Sequence, residues 1–140
     1  MSALDPDVVA KVGEWVRYAD EDLAYAQHGL GMEERCPFRL VAYHAQQCAE
    51  NYLKSYLVLT GTDFPYTHDI ERLISLCASA GASTDQLVEA AELTPYAVFA
   101  RYPGETDEIG RADAESAVEL AATVKQAVRQ LLADAGMNEL

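Results

Sequence analysis

The chain has 140 residues, half of them apolar, and its 23 acidic and 10 basic side chains give a formal net charge of −13. This size and composition fit one domain over residues 1–140 with a hydrophobic core, and they exclude a disordered tail. Because binding along a nucleic-acid backbone depends on clustered Lys and Arg, the acidity disfavours a broad DNA- or RNA-coating surface, although it permits a small basic pocket.

Two long helices are predicted in the first half of the chain. Asp5 and Pro6 fit the N-cap and first position of a helix, and apolar residues then recur at helical spacing as far as Leu30. A second helix opens at Cys36-Pro37 and has Gly61 as its C-terminal boundary.

The second half of the sequence is predicted to form shorter elements and one more long helix. Thr67 is expected to cap a third helix, and Ser83 or Thr84 a fourth. Residues 95–110 contain two prolines and two glycines and are predicted to be irregular, before a final helix from about Arg111. Short connections between amphipathic helices favour antiparallel neighbours, so we expect an all-α, up-and-down antiparallel bundle of four to five helices.

The cysteines and the N-terminal segment indicate a cytoplasmic protein. Cys36, Cys48 and Cys77 show neither CxxC spacing nor a His/Cys ligand pattern, so we expect small buried thiols in a reducing compartment and no metal site. The opening MSALDPDVVAKVGEW lacks the features of a secretory signal, and no apolar run is long enough to span a membrane. Glycine-rich phosphate loops are absent, and no cofactor is predicted.

The second helix divides into two faces on a helical wheel. The apolar face consists of Val41, Ala42, Ala45, Cys48, Ala49, Tyr52, Leu53 and Tyr56. The opposite face, called here the polar arc, consists of Arg39, His44, Gln46, Gln47, Glu50, Asn51 and Lys54. This arc is rich in His, Gln and Asn, whereas exposed helices favour Lys and Glu. We therefore expect it to be partly covered, at a dimer interface or inside a bundle; the alternative is a solvent-exposed face.

Arg39 and His44 stand in the spacing R-x4-H. In a helix they are about 7–8 Å apart along the axis and more than a third of a turn apart around it. A histidine can transfer a proton near neutral pH and a guanidinium can stabilise the charge of a phosphorane, so the pair is a minimal set for metal-free RNA cleavage. The alternative for His44 is a hydrogen bond at an interface.

Three motifs carry a resemblance to a known family. HAQQCAENYLKSYL (44–57) is followed by G-x-x-x-P-x-THDI (61–70) and later by ARYPG (100–104), and this order resembles the HEPN domain, named for higher eukaryotes and prokaryotes nucleotide-binding. YADEDLAYA (18–26) is similar to the first helix of that family. The resemblance spans nearly the whole chain and implies a helical bundle that usually forms a homodimer.

The resemblance also implies where a ligand binds. The corresponding positions are His44, Gln47, Glu50 and Lys54 on the second helix, joined by Asn51 of the polar arc, then His68 and Asp69 in the THD turn, and Arg101, Tyr102 and Pro103 in the RYP turn. Each has a structural alternative: an intrahelical ion pair for Glu50 and Lys54, helix capping for the THD turn, and loop bracing for the RYP turn.

Three functions follow as hypotheses. Many HEPN proteins are encoded beside a minimal nucleotidyltransferase in toxin–antitoxin-like modules, so the first is a component of such a module that binds a nucleotide, an RNA phosphate or the nucleotidyltransferase. The second, implied by the R-x4-6-H motif of some members, is a metal-independent endoribonuclease that uses Arg39 and His44. The third is a non-catalytic helical scaffold or regulatory binding module.

Overall fold

The structure, a computed structural model, describes residues 4–99, apart from the side chain of Phe99, and residues 108–138. These two stretches contain helices and no strand, which confirms the predicted all-α class. The elements in chain order are α1 (Pro6–Leu30), α2 (Phe38–Leu59), α3 (Ile70–Ser79), a 3-10 helix (Val88–Leu93), α4 (Tyr96–Phe99) and α5 (Arg111–Asp134).

The starts of the long helices agree with the sequence signals. The Asp5 carboxylate accepts a hydrogen bond of 2.8 Å from the backbone N–H of Asp7, and Pro6 occupies the first turn, so α1 begins at the predicted cap. α5 begins at Arg111 as expected, after Gly110, whose backbone N–H donates to the Asp113 carboxylate at 2.9 Å.

α2 lies at the centre of the bundle, with α1 antiparallel to it. Asn51 of α2 contacts Asp22 of α1, whereas Lys54, further along α2, lies over the ring of the earlier residue Trp15. The predicted apolar face of α2 is buried in full. Apart from Val41, it packs in one core with Val12, Val16, Ala19 and Leu23 of α1 and with Ala117, Ala121, Val124, Val128 and Leu132 of α5.

Residues 60–69, called here the 60–69 segment, run back along α2 before α3 begins. The backbone carbonyl of His68 accepts a hydrogen bond from Gln46 in the first half of α2. The carbonyl of Ala80, just after α3, accepts one from Tyr56 near the end of α2. α3 therefore points in the same direction as α2, because the connecting segment returns over the polar arc.

The predicted cap of the third helix is wrong by two residues. Asp69 is the N-cap, and its carboxylate accepts from the backbone N–H of Arg72 at 3.2 Å. The Thr67 hydroxyl accepts instead from the backbone N–H of Asp69 at 3.1 Å and so stabilises the preceding turn. Asp is the stronger N-cap, since its charge also faces the positive end of the helix.

The predicted fourth helix is a short 3-10 helix, Val88–Leu93, and no α-helix begins at Ser83 or Thr84. Leu87 and Leu93 are buried, whereas Val88 is exposed. A 3-10 helix has three residues per turn, so the side chains of this segment do not follow the 3.6-residue period of an α-helix. Within the segment predicted to be irregular, residues 96–99 form α4.

Candidate functional site

Apart from the exposed Arg39, the polar arc is wholly or partly covered within a single chain. Gln46, Glu50, Asn51 and Lys54 are buried, although a wheel alone permits them to face solvent. α1 covers one side of the arc and the 60–69 segment covers the other. Among the described residues, every buried side-chain N or O atom has a hydrogen-bond partner. The expected coverage is thus provided inside the bundle, and the polar groups satisfy one another.

Glu50 is the centre of one network, called here the Glu50 network. Its carboxylate lies 3.0 Å from the Lys54 ammonium, 2.7 Å from Nδ1 of His68 and 3.1 Å from Nε2 of Gln46. Gln47 extends the network by donating to Oε1 of Gln46 at 2.6 Å. The predicted binding residues of this network therefore meet, but through bonds to each other and to Gln46.

Aromatic rings enclose the Lys54 ammonium. Nζ lies 5.7 Å from the ring centroids of Trp15 and Phe64 and 5.8 Å from that of Tyr66. Trp15 and Phe64 also contact each other edge to face. Cation–π attraction and the Glu50 carboxylate together offset the cost of burying this charge, so the Lys54 ammonium has its partners inside the bundle.

His44 belongs to a second cluster, between α1 and α2. Its Nδ1 lies 2.9 Å from Oδ1 of Asp22, and Nδ2 of Asn51 donates to Oδ2 of the same carboxylate at 3.2 Å. Burial raises the pKa of Asp22 above its usual value, although the bonds from His44 and Asn51 act in the opposite direction. The His44 side chain remains 27% exposed, so it combines a fixed position with access from solvent; His68, which is bonded to Glu50, is similarly exposed at 28%.

Two tyrosines flank this imidazole. The Tyr25 ring centroid lies 4.6 Å and the Tyr43 centroid 5.3 Å from that of His44. Tyr25 is 60% exposed, so much of its ring is available to a ligand. His44, Tyr25 and Tyr43 are called here the His44 site. An imidazole and an exposed ring side by side can contact a phosphate and a nucleobase, respectively.

The other predicted residues are placed less centrally. Arg39 is exposed on α2, five positions before His44. Asp69 is exposed and caps α3, so it has the helix-capping role that was the alternative to ligand binding. Arg101 and Tyr102 lie outside the described residues.

A third cluster was missed by sequence reasoning. Tyr52 donates a short hydrogen bond to Asp20, and the same carboxylate lies 2.8 Å from Arg129 and 3.1 Å from Lys125 of α5. Burial alone would raise the pKa of Asp20, but the bonds from Tyr52, Lys125 and Arg129 together hold it below the usual value. This cluster joins α1, α2 and α5.

Asp20 and Asp22 both lie in YADEDLAYA, and no periodic signal distinguishes them from the exposed Glu21 between them. In the described part of the chain, no group of three or more His, Cys, Asp or Glu is placed to hold a metal ion. Nor is any helix there both long and apolar enough to cross a membrane.

The protein is an all-α helical bundle. Its second helix carries a polar arc that is packed against the first helix. A model of the HEPN domain matches residues 12–131, and the chain belongs to the HEPN domain family. It is also similar to the crystal structure of TT1696 from Thermus thermophilus, with a TM-score of 0.71 and 28% sequence identity over 86% of this chain and 97% of that chain. No curated protein is significantly similar to the chain.

Proposed function

We propose that this HEPN protein is a component of a two-component, toxin–antitoxin-like module and that it binds the phosphate of a nucleotide or RNA at the His44 site. The observation that carries the binding proposal is the His44 imidazole, which is held 2.9 Å from Asp22 and is still 27% exposed. A protonated imidazole donates charge-assisted hydrogen bonds to phosphate oxygens.

Tyr25 adds a second contact. Its ring lies against the imidazole and is 60% exposed, so a nucleobase can stack on it while its phosphate meets His44. With a net charge of −13 the chain repels a long polyanion, and this favours a short ligand or a few nucleotides over extended RNA.

Family membership and charge support the partners that we propose for this module. In this role the protein is a cytoplasmic homodimer that also binds a minimal nucleotidyltransferase. Its acidity supports a partner with a basic contact surface, because oppositely charged surfaces associate faster. Co-purification of the homodimer with a nucleotidyltransferase encoded beside it tests this part separately from the His44 site.

Calorimetric titration with adenosine 5′-monophosphate and with a short oligoribonucleotide tests the binding site. His44→Ala should abolish the binding heat, whereas His28→Ala should leave it unchanged, because His28 is an exposed histidine in the last turn of α1 and lies outside the His44 site. Equal binding by wild type and His44→Ala, or no binding by the wild type, would refute the site and favour the scaffold function.

A second candidate, endoribonuclease activity, is favoured by the presence of Arg39 and His44 on the same helix. In that reaction the 2′-oxygen of RNA attacks phosphorus and gives its proton to His44, while Arg39 stabilises the phosphorane. The bond to the 5′-oxygen then breaks and this oxygen takes the proton back from His44, which leaves a 2′,3′-cyclic phosphate and a 5′-hydroxyl. RNA cleavage in EDTA that is lost in both Arg39→Ala and His44→Ala supports it. Arg72→Ala, at an exposed arginine of α3, is the control.

A further inference from the structure

His44, Asp22 and Asn51 form a chain of hydrogen bonds between α2 and α1. Each oxygen of the Asp22 carboxylate has a different partner: Oδ1 lies 2.9 Å from Nδ1 of His44, and Oδ2 accepts from Asn51 at 3.2 Å. Asn51 lies seven residues after His44 on the same helix, two turns along the same face. The carboxylate therefore bridges two turns of α2.

This arrangement determines which nitrogen of the imidazole carries a proton. An ionised carboxylate only accepts hydrogen bonds, so Nδ1 must be the donor to Oδ1. The amide of Asn51 engages the second oxygen, which keeps the carboxylate from rotating away from His44. In the described part of the chain, the imidazole makes its hydrogen bond through Nδ1. Nε2 is the nitrogen left for a ligand.

We infer that Asp22 and Asn51 are positioning residues that hold His44 in the Nδ1–H tautomer, so that Nε2 is the atom that meets the phosphate. The inference rests on the proposed function for the identity of the ligand. The tautomer itself is a property of the free protein. When His44 is charged, Nε2 donates to a phosphate oxygen; when it is neutral, Nε2 accepts a proton from a hydroxyl group.

The surroundings of Asp22 agree better with the positioning role than with a purely stabilising one. Burial raises the pKa of this carboxyl above the usual value, so its ionised form opposes folding in comparison with a neutral group. An amide of the same size should therefore be tolerated at this position. Asp22→Asn is thus a variant that should remain folded and still lose control of the tautomer, because an amide can either donate to Nδ1 or accept from it.

The test is the 15N and 13C NMR signature of the His44 ring at mildly alkaline pH, where histidine side chains are neutral. The wild type should show the Nδ1–H tautomer. Asp22→Asn should show a mixture, and Asp22→Leu, which has no acceptor, should show mainly the Nε2–H form that free histidine prefers. Glu21→Gln changes the exposed neighbouring carboxylate and should leave the spectrum unchanged. Wild type in the Nε2–H form, or no change in Asp22→Asn, would overturn the inference.

The ligand step is read with the same labelled proteins at mildly acidic pH, where an imidazole is protonated and Nε2 can donate to a phosphate oxygen. On titration with adenosine 5′-monophosphate, the Nε2 signal should move more than the Nδ1 signal, and Asp22→Leu should bind roughly tenfold more weakly, the effect of one charge-assisted hydrogen bond. A larger shift at Nδ1 would overturn the inference. No shift at either nitrogen, with the tautomers as expected, would instead refute the proposed binding site and leave the positioning of His44 by Asp22 supported.

Discussion

The ammonium of Lys54 and the carboxylate of Glu50 form an ion pair of 3.0 Å in which the two side chains are only 5% and 4% exposed. The residues lie one helical turn apart on α2, a spacing that is common on exposed helices and worth little there. Here the 60–69 segment and Trp15 exclude water from the pair. Its disruption would leave one buried charge without compensation.

Glu50→Gln should therefore lower the free energy of unfolding by about 3–5 kcal/mol, because it removes the carboxylate from both Lys54 and His68. Urea denaturation followed by circular dichroism measures the change. Glu115→Gln is the matched control: Glu115 pairs with Arg111 at 3.9 Å on α5 but is 54% exposed, so its loss should be within about 0.5 kcal/mol. Equal effects of the two substitutions would contradict the buried ion pair.

Asp20 predicts a specific dependence of stability on pH. Burial opposes the shift, but the bonds to Tyr52, Lys125 and Arg129 hold the pKa of Asp20 below its usual value of 3.8. The ionised carboxylate therefore stabilises the folded protein above pH 3.8, and this stability is lost as the pH falls through the lowered pKa. Asp20→Asn should cost about 1 kcal/mol at neutral pH, after allowance for solvent screening. The difference between wild type and Asp20→Asn should stay constant from neutral pH to mildly acidic pH and disappear below the usual carboxyl range.

The stability difference between wild type and Asp22→Asn should depend on pH in the opposite direction. Since burial raises the pKa of Asp22, the protonated carboxyl contributes stability at low pH that is lost as the pH rises through the raised value. The substitution should be less destabilising at neutral pH than Asp20→Asn, although the two residues lie two positions apart on α1. Parallel thermal unfolding of both variants across the acidic range checks this difference, and a larger loss in Asp22→Asn at neutral pH would argue against it.

Tyr25 should contribute to ligand binding by stacking. Loss of one stacked base is worth about 1–3 kcal/mol, so Tyr25→Ala should weaken binding of adenosine 5′-monophosphate roughly tenfold. Tyr18→Ala is the control, because Tyr18 is 57% exposed on the same helix and contacts Arg17 rather than the imidazole. Calorimetry compares the two, and an equal loss in both would show that Tyr25 has no special part.

The thiols should differ in reactivity. Burial raises the pKa of Cys77 to about 12 and raises that of Cys48 as well, so neither forms the reactive thiolate at neutral pH. Cys36 is half-buried, and its thiol donates to the carbonyl of Gly29 at 3.1 Å. A thiol reagent should therefore modify Cys36 first in the native protein and all three cysteines in denaturant. Simultaneous reaction of all three without denaturant would contradict this order.

Local signals were sufficient for the long helices. Asp5 with Pro6 predicted the start of α1, and the apolar spacing of α2 predicted a face that is buried in full. Caps and periodicity act over a few residues, so the sequence contains them directly. The same signals were less reliable where elements are short, as at Thr67 and in Val88–Leu93, because tertiary contacts there outweigh local preference.

The candidate site could be predicted only in part. His44 was identified from its type and its place in the polar arc, and Glu50 with Lys54 from their spacing. Asp22 and Tyr25 were not identified, since nothing in YADEDLAYA distinguishes a carboxylate that reaches His44 from one that faces solvent.

By itself, the sequence determined that α2 has an apolar face and a polar arc, because the helical period is a property of neighbouring residues along the chain. Only the tertiary structure decided what covers that arc. The alignment of α1 against α2 brings Asp22 to His44, 22 positions away, and the return of the 60–69 segment brings His68 to Glu50, 18 positions away. These contacts depend on how the whole core packs, because the core sets the relative positions of α1, α2 and the 60–69 segment. The same packing leaves His44 partly exposed and Lys54 buried, although both lie on the polar arc.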